Sequence, residues 1–571
     1  MKISPLNLLS LYLTGQQTNS SNVFSGLTSQ CPYSGEELSE MEMTKEEWIE
    51  SNTNSFKFKD STLNLNADWD TFQGYMRNTS LGMFDCMFSG FGSSLAKKMS
   101  FANGIILAGL SLGTSFLSEI KKLPVFSTNF SFFNFGGRLI RAPLHIFDST
   151  FSLIGEKGAK FALPSILAGA FSLFSLNRVL NKNENKNIKL PNSTIAGTIG
   201  RTAVHHFESM LASKATEISN DNPSAGSFLA SSLAAGGLMT SDTTKNLKLS
   251  YRSFEGLTSL GGFHFLDSLF SNIGNTMTGI LNTPARLLFG SIGLLTAMPL
   301  VGSASKIKNQ NASYSKLGGR LIRSIFHIPE TLVFNLGNLV GKGILGIPIS
   351  AGFIGITSLL SSSKSKIANL KIPVGTIGGQ LQRLPFDFIY PIISNTGTSL
   401  SKLIPAPLLV LLGPIISFKL GEKFKTVDAK YTELKGLFVR NSCHLWEAIL
   451  SNAAFRTGKL ISGDKTDNDD NSGTMLADGR WLSNNGQIIP TMAIGKQLND
   501  HPEKNLLKVL FSALGGIALG AGGVLFAKTL QARNNAKNIC VQTSNISPLP
   551  SVEKVLDSEK GRLKELCQLK Q

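Results

Sequence analysis

Charged side chains are scarce in this sequence. They make up 16% of its 571 residues, well below the share of about one quarter that is usual in soluble globular domains. Hydrophobic residues make up 42% of the chain, and the mean hydropathy is +0.08, which is low for a chain buried throughout in lipid. The composition therefore indicates apolar segments joined by polar connectors.

Cysteine is also rare. The five residues, Cys31, Cys86, Cys443, Cys540 and Cys567, lie far apart and form no CxxC pair and no zinc-ligand spacing. This pattern argues against a disulfide framework and against a structural zinc site. We expect no metal and no cofactor.

Familiar catalytic fingerprints are missing as well. No GxxxxGK[ST] phosphate loop, HExxH, GxSxG or GxGxxG occurs in a supporting context. A triad assembled from distant residues stays open, although Cys443 and His444 are neighbours in the chain rather than partners across a site. We expect a protein that is not an enzyme.

Acidic residues are outnumbered by basic ones, and the net charge is +17. No Lys/Arg cluster is interleaved with aromatic residues, so we expect no nucleic-acid partner. The basic residues instead recur in short connectors that follow apolar runs, which is typical of the cytoplasmic loops of membrane proteins.

A motif recurs along the chain about every 60 residues. GGRLIR stands at Gly136–Arg141 and again at Gly318–Arg323, and GGQLQR stands at Gly378–Arg383. In this register six of seven copies hold an acidic residue at one position, and the sixth copy has Tyr390 there. The acidic residues are Asp85, Asp148, Glu208, Asp267, Glu330 and Glu447. Such a fixed period predicts an all-α fold of seven tandem helical hairpins.

Small residues occupy two positions in every copy. A glycine stands eleven residues before the acidic position in all seven: Gly74, Gly137, Gly197, Gly256, Gly319, Gly379 and Gly436. Seven residues after the acidic position stand Gly92, Gly155, Ala215, Gly274, Gly337, Gly397 and Ala454. Side chains this small predict close approach between helix backbones.

Arginine and histidine complete the motif. The arginines Arg141, Arg201, Arg323, Arg383 and Arg440 lie seven residues before the acidic position, and the histidines His145, His205, His264, His327 and His444 lie three before it. The first copy has Asn78 and Gly82 in these two positions, the fourth has Leu260 for arginine, and the sixth has Asp387 for histidine.

On a helix all motif positions fall within one arc of about 80°. They predict a polar stripe whose Arg, His and acid form a local network in each copy, and this stripe is the candidate site. A structural role is our first interpretation, ahead of a proton or ion path and a metal site.

An uncharged segment of helix length follows the motif in each copy. The segments are Met99–Ser118, Phe161–Asn177, Asn222–Ser241, Leu287–Ser305, Gly343–Ser363, Leu403–Phe418 and Val509–Ala527. These are close to the length that crosses a bilayer, so we expect an integral membrane protein with seven spans or, if the first helices also cross, fourteen. The competing interpretation is a soluble helical array whose second helices are covered by neighbours.

The remaining regions differ in character from the repeats. We expect a polar N-terminal region at residues 1–70, followed at 71–461 by hairpin repeats 1 to 6 and the first helix of repeat 7. A polar insertion at 462–505 then precedes the final apolar helix of repeat 7 at 506–535, and the tail at 536–571 contains a short amphipathic helix. The termini or the insertion would contact protein partners, and the bilayer would be the main partner. The expected function is a membrane scaffold or assembly platform, with a transporter or channel lined by the stripe as the alternative and a soluble scaffold as the second alternative.

Overall fold

The computed structural model describes most of the chain between residues 63 and 463 and short pieces beyond it. The described residues are 63–121, 130, 134–180, 188–250, 252–280, 309–313, 316–341, 345–363, 368–463, 473–475, 481–483, 488–489, 512 and 515–519. The residues before 63, the apolar segment Leu287–Ser305 and the C-terminal tail lie outside them. Most of the 462–505 insertion and of the final apolar segment also lies outside them.

Almost all of the described chain is α-helical, as the sequence predicts. Six long helices and one pair of consecutive helices, here called the ring helices, contain the motif copies. They are α1 (Phe72–Lys98), the pair α3 (Phe135–Arg141) and α4 (His145–Ala159), α6 (Ile195–Asp221), α9 (Phe254–Ile280), α10 (Leu317–Gly341), α12 (Ile377–Ser401) and α14 (Leu434–Ile461). A 3-10 turn at Ala142–Leu144 with Pro143 in its first turn joins α3 to α4.

Five further helices, here called the outer helices, follow ring helices in the chain. They are α2 (Phe101–Lys121), α5 (Ala162–Leu180), α7 (Pro223–Leu238), α11 (Gly346–Ser361) and α13 (Ala406–Lys423). One short helix, α8 (Asp242–Lys245), lies in a connector. Three short strands, β1 (Gly473–Met475), β2 (Trp481–Ser483) and β3 (Ile488–Ile489), form an antiparallel sheet inside the polar insertion, for which no strand was predicted.

The ring helices form a closed circle. Each packs against the next in chain order, and α14 packs against α1. The segments before the ring helices are joined by isolated antiparallel bridges: Asn66 with Asn134, Lys189 with Ser253, Lys248 with Lys316, Asn311 with Thr376, Lys371 with Glu433, and Asp428 with Thr71. At the junction without a bridge, the Phe130 amide donates to the Ser193 carbonyl at 2.7 Å. All ring helices therefore begin at one end of the circle.

The outer helices are staggered relative to the ring. Each packs on the two ring helices that come next in the chain: α2 on α4 and α6, α5 on α6 and α9, α7 on α9 and α10, α11 on α12 and α14, and α13 on α14 and α1. Residues 515–519, within the last apolar segment, lie instead against α7 at Phe228.

Few of the outer helices meet the length and hydropathy expected of a membrane span. Among the described residues two helical stretches do so, Phe101–Ser118 and Ala162–Val179, and there are three if α10 and α11, which meet at a bend of 112°, count as one span. The expectation of seven or fourteen spans is therefore supported for two or three. Helices α7 and α11 are only 16 residues long, and α13 ends in Lys419, Glu422 and Lys423.

Candidate functional site

Several motif copies begin at a helix N-terminus that a side chain caps, whereas Glu433, before α14, makes no such hydrogen bond. The side chains of Thr71, Asn134, Thr194 and Thr376 accept a hydrogen bond from the amide of the motif glycine three residues later, which is the usual role of Thr and Asn at an N-cap. The glycine packs against the loop that precedes its own helix: a Cβ at Gly197 would stand 1.9 Å from the Pro191 carbonyl oxygen. The first motif glycine therefore folds the loop tightly onto its own helix.

The second small position governs contact between neighbouring ring helices. A Cβ at Gly337 on α10 would stand 2.2 Å from the Phe388 carbonyl oxygen on α12. Equivalent contacts join Gly92 to Ile146, Gly155 to His206, Gly274 to Ile328 and Gly397 to Leu445. In each pair the carbonyl lies two residues before the acidic position of the next copy, so one helix register is kept around these junctions. Close backbone approach, predicted from the sequence, occurs here.

The motif histidines join neighbouring helices. On α6, His205 Nδ1 lies 2.5 Å from Glu208 Oε2 of its own helix, and His205 Nε2 lies 3.6 Å from Asp148 Oδ1 on α4. Because an imidazole has a polar nitrogen on each side of its ring, one side chain reaches two carboxylates. His205 therefore contacts a carboxylate of its own helix and a carboxylate of the preceding ring helix.

The same double contact recurs at three other histidines. His145 lies between Asp85 (3.5 Å) and Asp148 (3.6 Å), His264 between Glu208 (3.8 Å) and Asp267 (3.9 Å), and His327 between Asp267 (3.5 Å) and Glu330 (2.9 Å). Alternating acids and histidines therefore run from Asp85 on α1 to Glu330 on α10. We call this circumferential row the His–carboxylate belt.

Aromatic side chains continue the belt where the motif departs from its pattern. His444 Nδ1 lies 2.7 Å from Glu447 Oε2, and its ring stands edge-on to Tyr390, with ring centroids 4.3 Å apart. Across the closure of the ring, the Tyr75 hydroxyl donates to Glu447 Oε2 at 3.0 Å. Asp387 replaces histidine in the sixth copy and stands within electrostatic reach of Glu330 and Arg383.

The motif arginines donate hydrogen bonds to loops at one end of the ring. Arg383 donates to the carbonyls of Ile372, in the loop before its own helix, and Tyr431, in the loop before the next. Arg440 likewise donates to Ala429 and Trp69, Arg201 to Leu190, Arg323 to Val374, and Arg141 to the Asn192 side chain. Within one copy, His205 contacts Glu208, and Arg201 stands within electrostatic reach of the same carboxylate. The sequence did not predict that the histidines also join neighbouring helices, or that the arginines bind the loops at one end of the ring.

One position that contacts the belt acids was not predicted from the sequence. Arg138 and Arg320, which directly follow the first motif glycine, each place a guanidinium nitrogen 2.9 Å from an acid of the preceding ring helix, Asp85 and Asp267 respectively. Tyr75 holds the same position in the first copy. The two copies share the sequence GGR, which marks this position as recurring. The sequence alone does not indicate that the arginine contacts the preceding ring helix.

The belt is suited to holding helices together. Its members are mostly buried: Asp148, His205, Glu208 and Asp267 are each no more than 5% exposed. Separation of the helices would remove the partners of these buried groups, which is costly. Within the described ranges, no three His, Cys, Asp or Glu side chains converge as a metal-ligand set. Comparisons with protein-family models, curated proteins and solved structures found no match to this chain.

Proposed function

We propose that the chain is a ring of seven helical-hairpin repeats embedded in a membrane, where it acts without enzymatic activity as a scaffold or assembly platform. The observation that carries the proposal is the apolar outward surface of the outer helices around a polar ring.

The repeat organisation is supported by contacts that recur with the motif. The belt histidines, the second small residue and the loop-binding arginines each make equivalent contacts at several junctions. Side chains that make the same contact at intervals of about 60 residues are those expected of stacked, like units.

Membrane residence is supported by the exposure of large apolar side chains. More than half of the surface of each of these residues is exposed: Ile106, Leu110, Leu163, Ile166, Leu173, Leu359 and Leu411. They lie on α2, α5, α11 and α13, so the apolar surface follows the outside of the ring. Soluble monomers rarely expose contiguous apolar surface on this scale, whereas lipid requires it.

Orientation follows from the basic connectors. Lys189, Lys248, Lys371 and Lys425 are exposed in the segments that precede ring helices, and those segments are joined to one another at one end of the ring. By the positive-inside rule that end faces the cytoplasm.

A scaffold fits the belt better than a transport path does. The contacts of the belt run from helix to helix around the circle, whereas conduction across a membrane requires polar groups spaced along the axis. A closed circle of helices joined by such contacts resists separation of its helices and leaves both end surfaces available to partners.

Carbonate extraction with a charge-insertion variant tests membrane residence. We expect the wild-type chain to stay in the membrane pellet at high pH, and Leu110→Lys to weaken insertion because lysine at the centre of a span costs about 2.5 to 3.5 kcal/mol. Leu110→Ala and the connector variant Asn246→Lys are matched controls that should remain in the pellet. Release of the wild-type chain, or full tolerance of Leu110→Lys, would reject the membrane proposal.

A further inference from the structure

Six buried hydroxyl groups on the ring helices have no hydrogen-bond partner among the described residues. Ser89, Ser152, Ser209, Ser271, Thr331 and Thr398 come from six different ring helices and are at most 5% exposed. Each side-chain oxygen is inaccessible and has no hydrogen-bond partner in the chain. Buried hydroxyls are normally satisfied, so an unsatisfied set from six helices points to a polar occupant.

The direction of these side chains follows from the contacts on the opposite side of each helix. Gly200 of α6 faces Ser115 of the outer helix α2, and Gly262 of α9 faces Ser172 of the outer helix α5. Ser209 and Ser271 each lie nine residues further along, which is half a turn away on an α-helix. Both hydroxyls therefore point away from the outer helices and towards the ring interior.

A carboxylate lies on the same interior side. Glu156 of α4 stands nine residues after Phe147, which packs against the cluster that contains Ala108 of α2. Its Oε1 atom is inaccessible and has no hydrogen-bond partner, and no basic side chain among the described residues lies within ion-pair distance of it. This contrasts with the belt acids, each of which has a histidine, arginine or tyrosine nearby.

A buried carboxylate without a basic partner is the chemistry of a cation site. Burial of a carboxylate without a partner is costly, and a bound cation removes that cost. Divalent ions favour sites with several carboxylates, and within the described ranges no three His, Cys, Asp or Glu side chains are placed to hold a metal ion together. Charge balance with one carboxylate favours a monovalent ion.

We infer that the ring interior, on the side of the belt towards the helix C-termini, binds a monovalent cation such as Na⁺, with Glu156 as the charged ligand and serine and threonine hydroxyls as neutral ligands. On an α-helix, which rises about 1.5 Å per residue, Glu156 stands about 16 Å beyond the level of His145 in the belt, so the site lies nearer the helix C-termini than the belt and is separate from it. The inference rests on the closed ring of the proposed function and does not depend on membrane residence.

The test is thermal unfolding of the purified full chain in chloride salts of matched ionic strength. In NaCl we expect the midpoint temperature to rise with concentration and level off, compared with choline chloride, because a ligand that binds only the folded state stabilises it until the site is saturated. Glu156→Gln should abolish the difference between the two salts. Glu217→Gln, at a partly exposed carboxylate paired with Lys214 on α6, is the matched control and should keep it.

Each outcome decides the proposal. Equal midpoints for the wild-type chain in NaCl, KCl and choline chloride overturn the cation site, as does a sodium effect that survives in Glu156→Gln. If that variant does not fold, Ser152→Ala and Ser209→Ala replace it, and each should raise the sodium concentration needed for half of the effect. Carbonate extraction is a separate measurement, so a failed cation site and a failed membrane proposal give different results.

Discussion

Two adjacent histidines on α6 differ in what they join. His205 lies between carboxylates of two ring helices, whereas His206 contacts the Phe151 carbonyl and stacks on Phe101. Both are buried. The motif identified His205 because it recurs, and the spacing of three residues predicted its contact with Glu208. The contact with Asp148 was not predictable, because spacing along one helix carries no information about the helix beside it.

We therefore predict unequal effects of the two histidines. His205→Leu leaves Asp148 and Glu208 each without one partner, and a loss of about 1 to 3 kcal/mol in unfolding free energy is expected for a buried site. His206→Leu removes one hydrogen bond and keeps an apolar side chain against Phe101, so its loss should be smaller. Chemical denaturation of both variants measures the difference, and equal losses would contradict the role of the belt in joining helices.

Some glycines allow two helices to approach closely, whereas others lie where no helix is near. On α10, Gly337 faces the Phe388 carbonyl of the neighbouring helix, whereas a Cβ at Gly352 on α11 would meet no atom within 4 Å. The sequence identified Gly337 through its recurring position. It gave no indication that outer helices pack on ring helices of later copies, because packing partners depend on small rotations between units.

Alanine at these two glycines should act in opposite directions. Gly337→Ala forces α10 and α12 apart and should destabilise the fold by about 1 to 3 kcal/mol, as is usual for overpacking. Gly352→Ala should be neutral or stabilising by up to about 1 kcal/mol, since alanine favours helix and open space surrounds it. Thermal unfolding of the pair is the measurement, and a neutral Gly337→Ala would show that the ring is looser than described.

Closure of the ring is a property of the whole molecule. An open array and a closed circle share the same local pattern, so no residue spacing distinguished them. The distinguishing contacts join distant parts of the chain, including the Tyr75 hydroxyl with Glu447 and the bridge between Thr71 and Asp428. Fold class, motif positions and close packing could thus be predicted from the sequence, whereas the circle could not.

A disulfide across the closure tests the circle directly. Residues paired in an antiparallel bridge have Cα atoms about 4.5 to 5.5 Å apart, within the range a disulfide spans. In a chain with the native cysteines replaced by serine, Thr71→Cys with Asp428→Cys should form an intramolecular disulfide on mild oxidation, seen as a mobility change on a non-reducing gel. Thr71→Cys with Glu433→Cys is the control, because Glu433 is bridged to Lys371 instead. Absence of the first crosslink, or equal formation of both, would indicate an open array.

The two ends of the ring should lie on opposite sides of the membrane. Single cysteines at Lys248, Lys371 and Lys425, in segments before ring helices, should react with an impermeant thiol reagent from one side of the membrane. Cysteines at Lys160 and Lys402, which directly follow α4 and α12 at the other end of the ring, should react only from the opposite side. Alternating accessibility among the first three positions would mean that ring helices do not all begin on one side.

The staggered packing of the outer helices sets the order of events while the chain is being made. Helix α2 ends at Lys121, but one of the two helices it packs on, α6, begins at Ile195. At a translation rate of about 5 to 20 residues per second, each outer helix therefore waits several seconds for its second partner. Every nascent intermediate presents an uncovered helix to the machinery that receives it, and α13 waits only for α14, because its other partner, α1, was made first. The first ring helix is consequently the one that must be kept free of wrong partners for longest, until translation has passed Ile461.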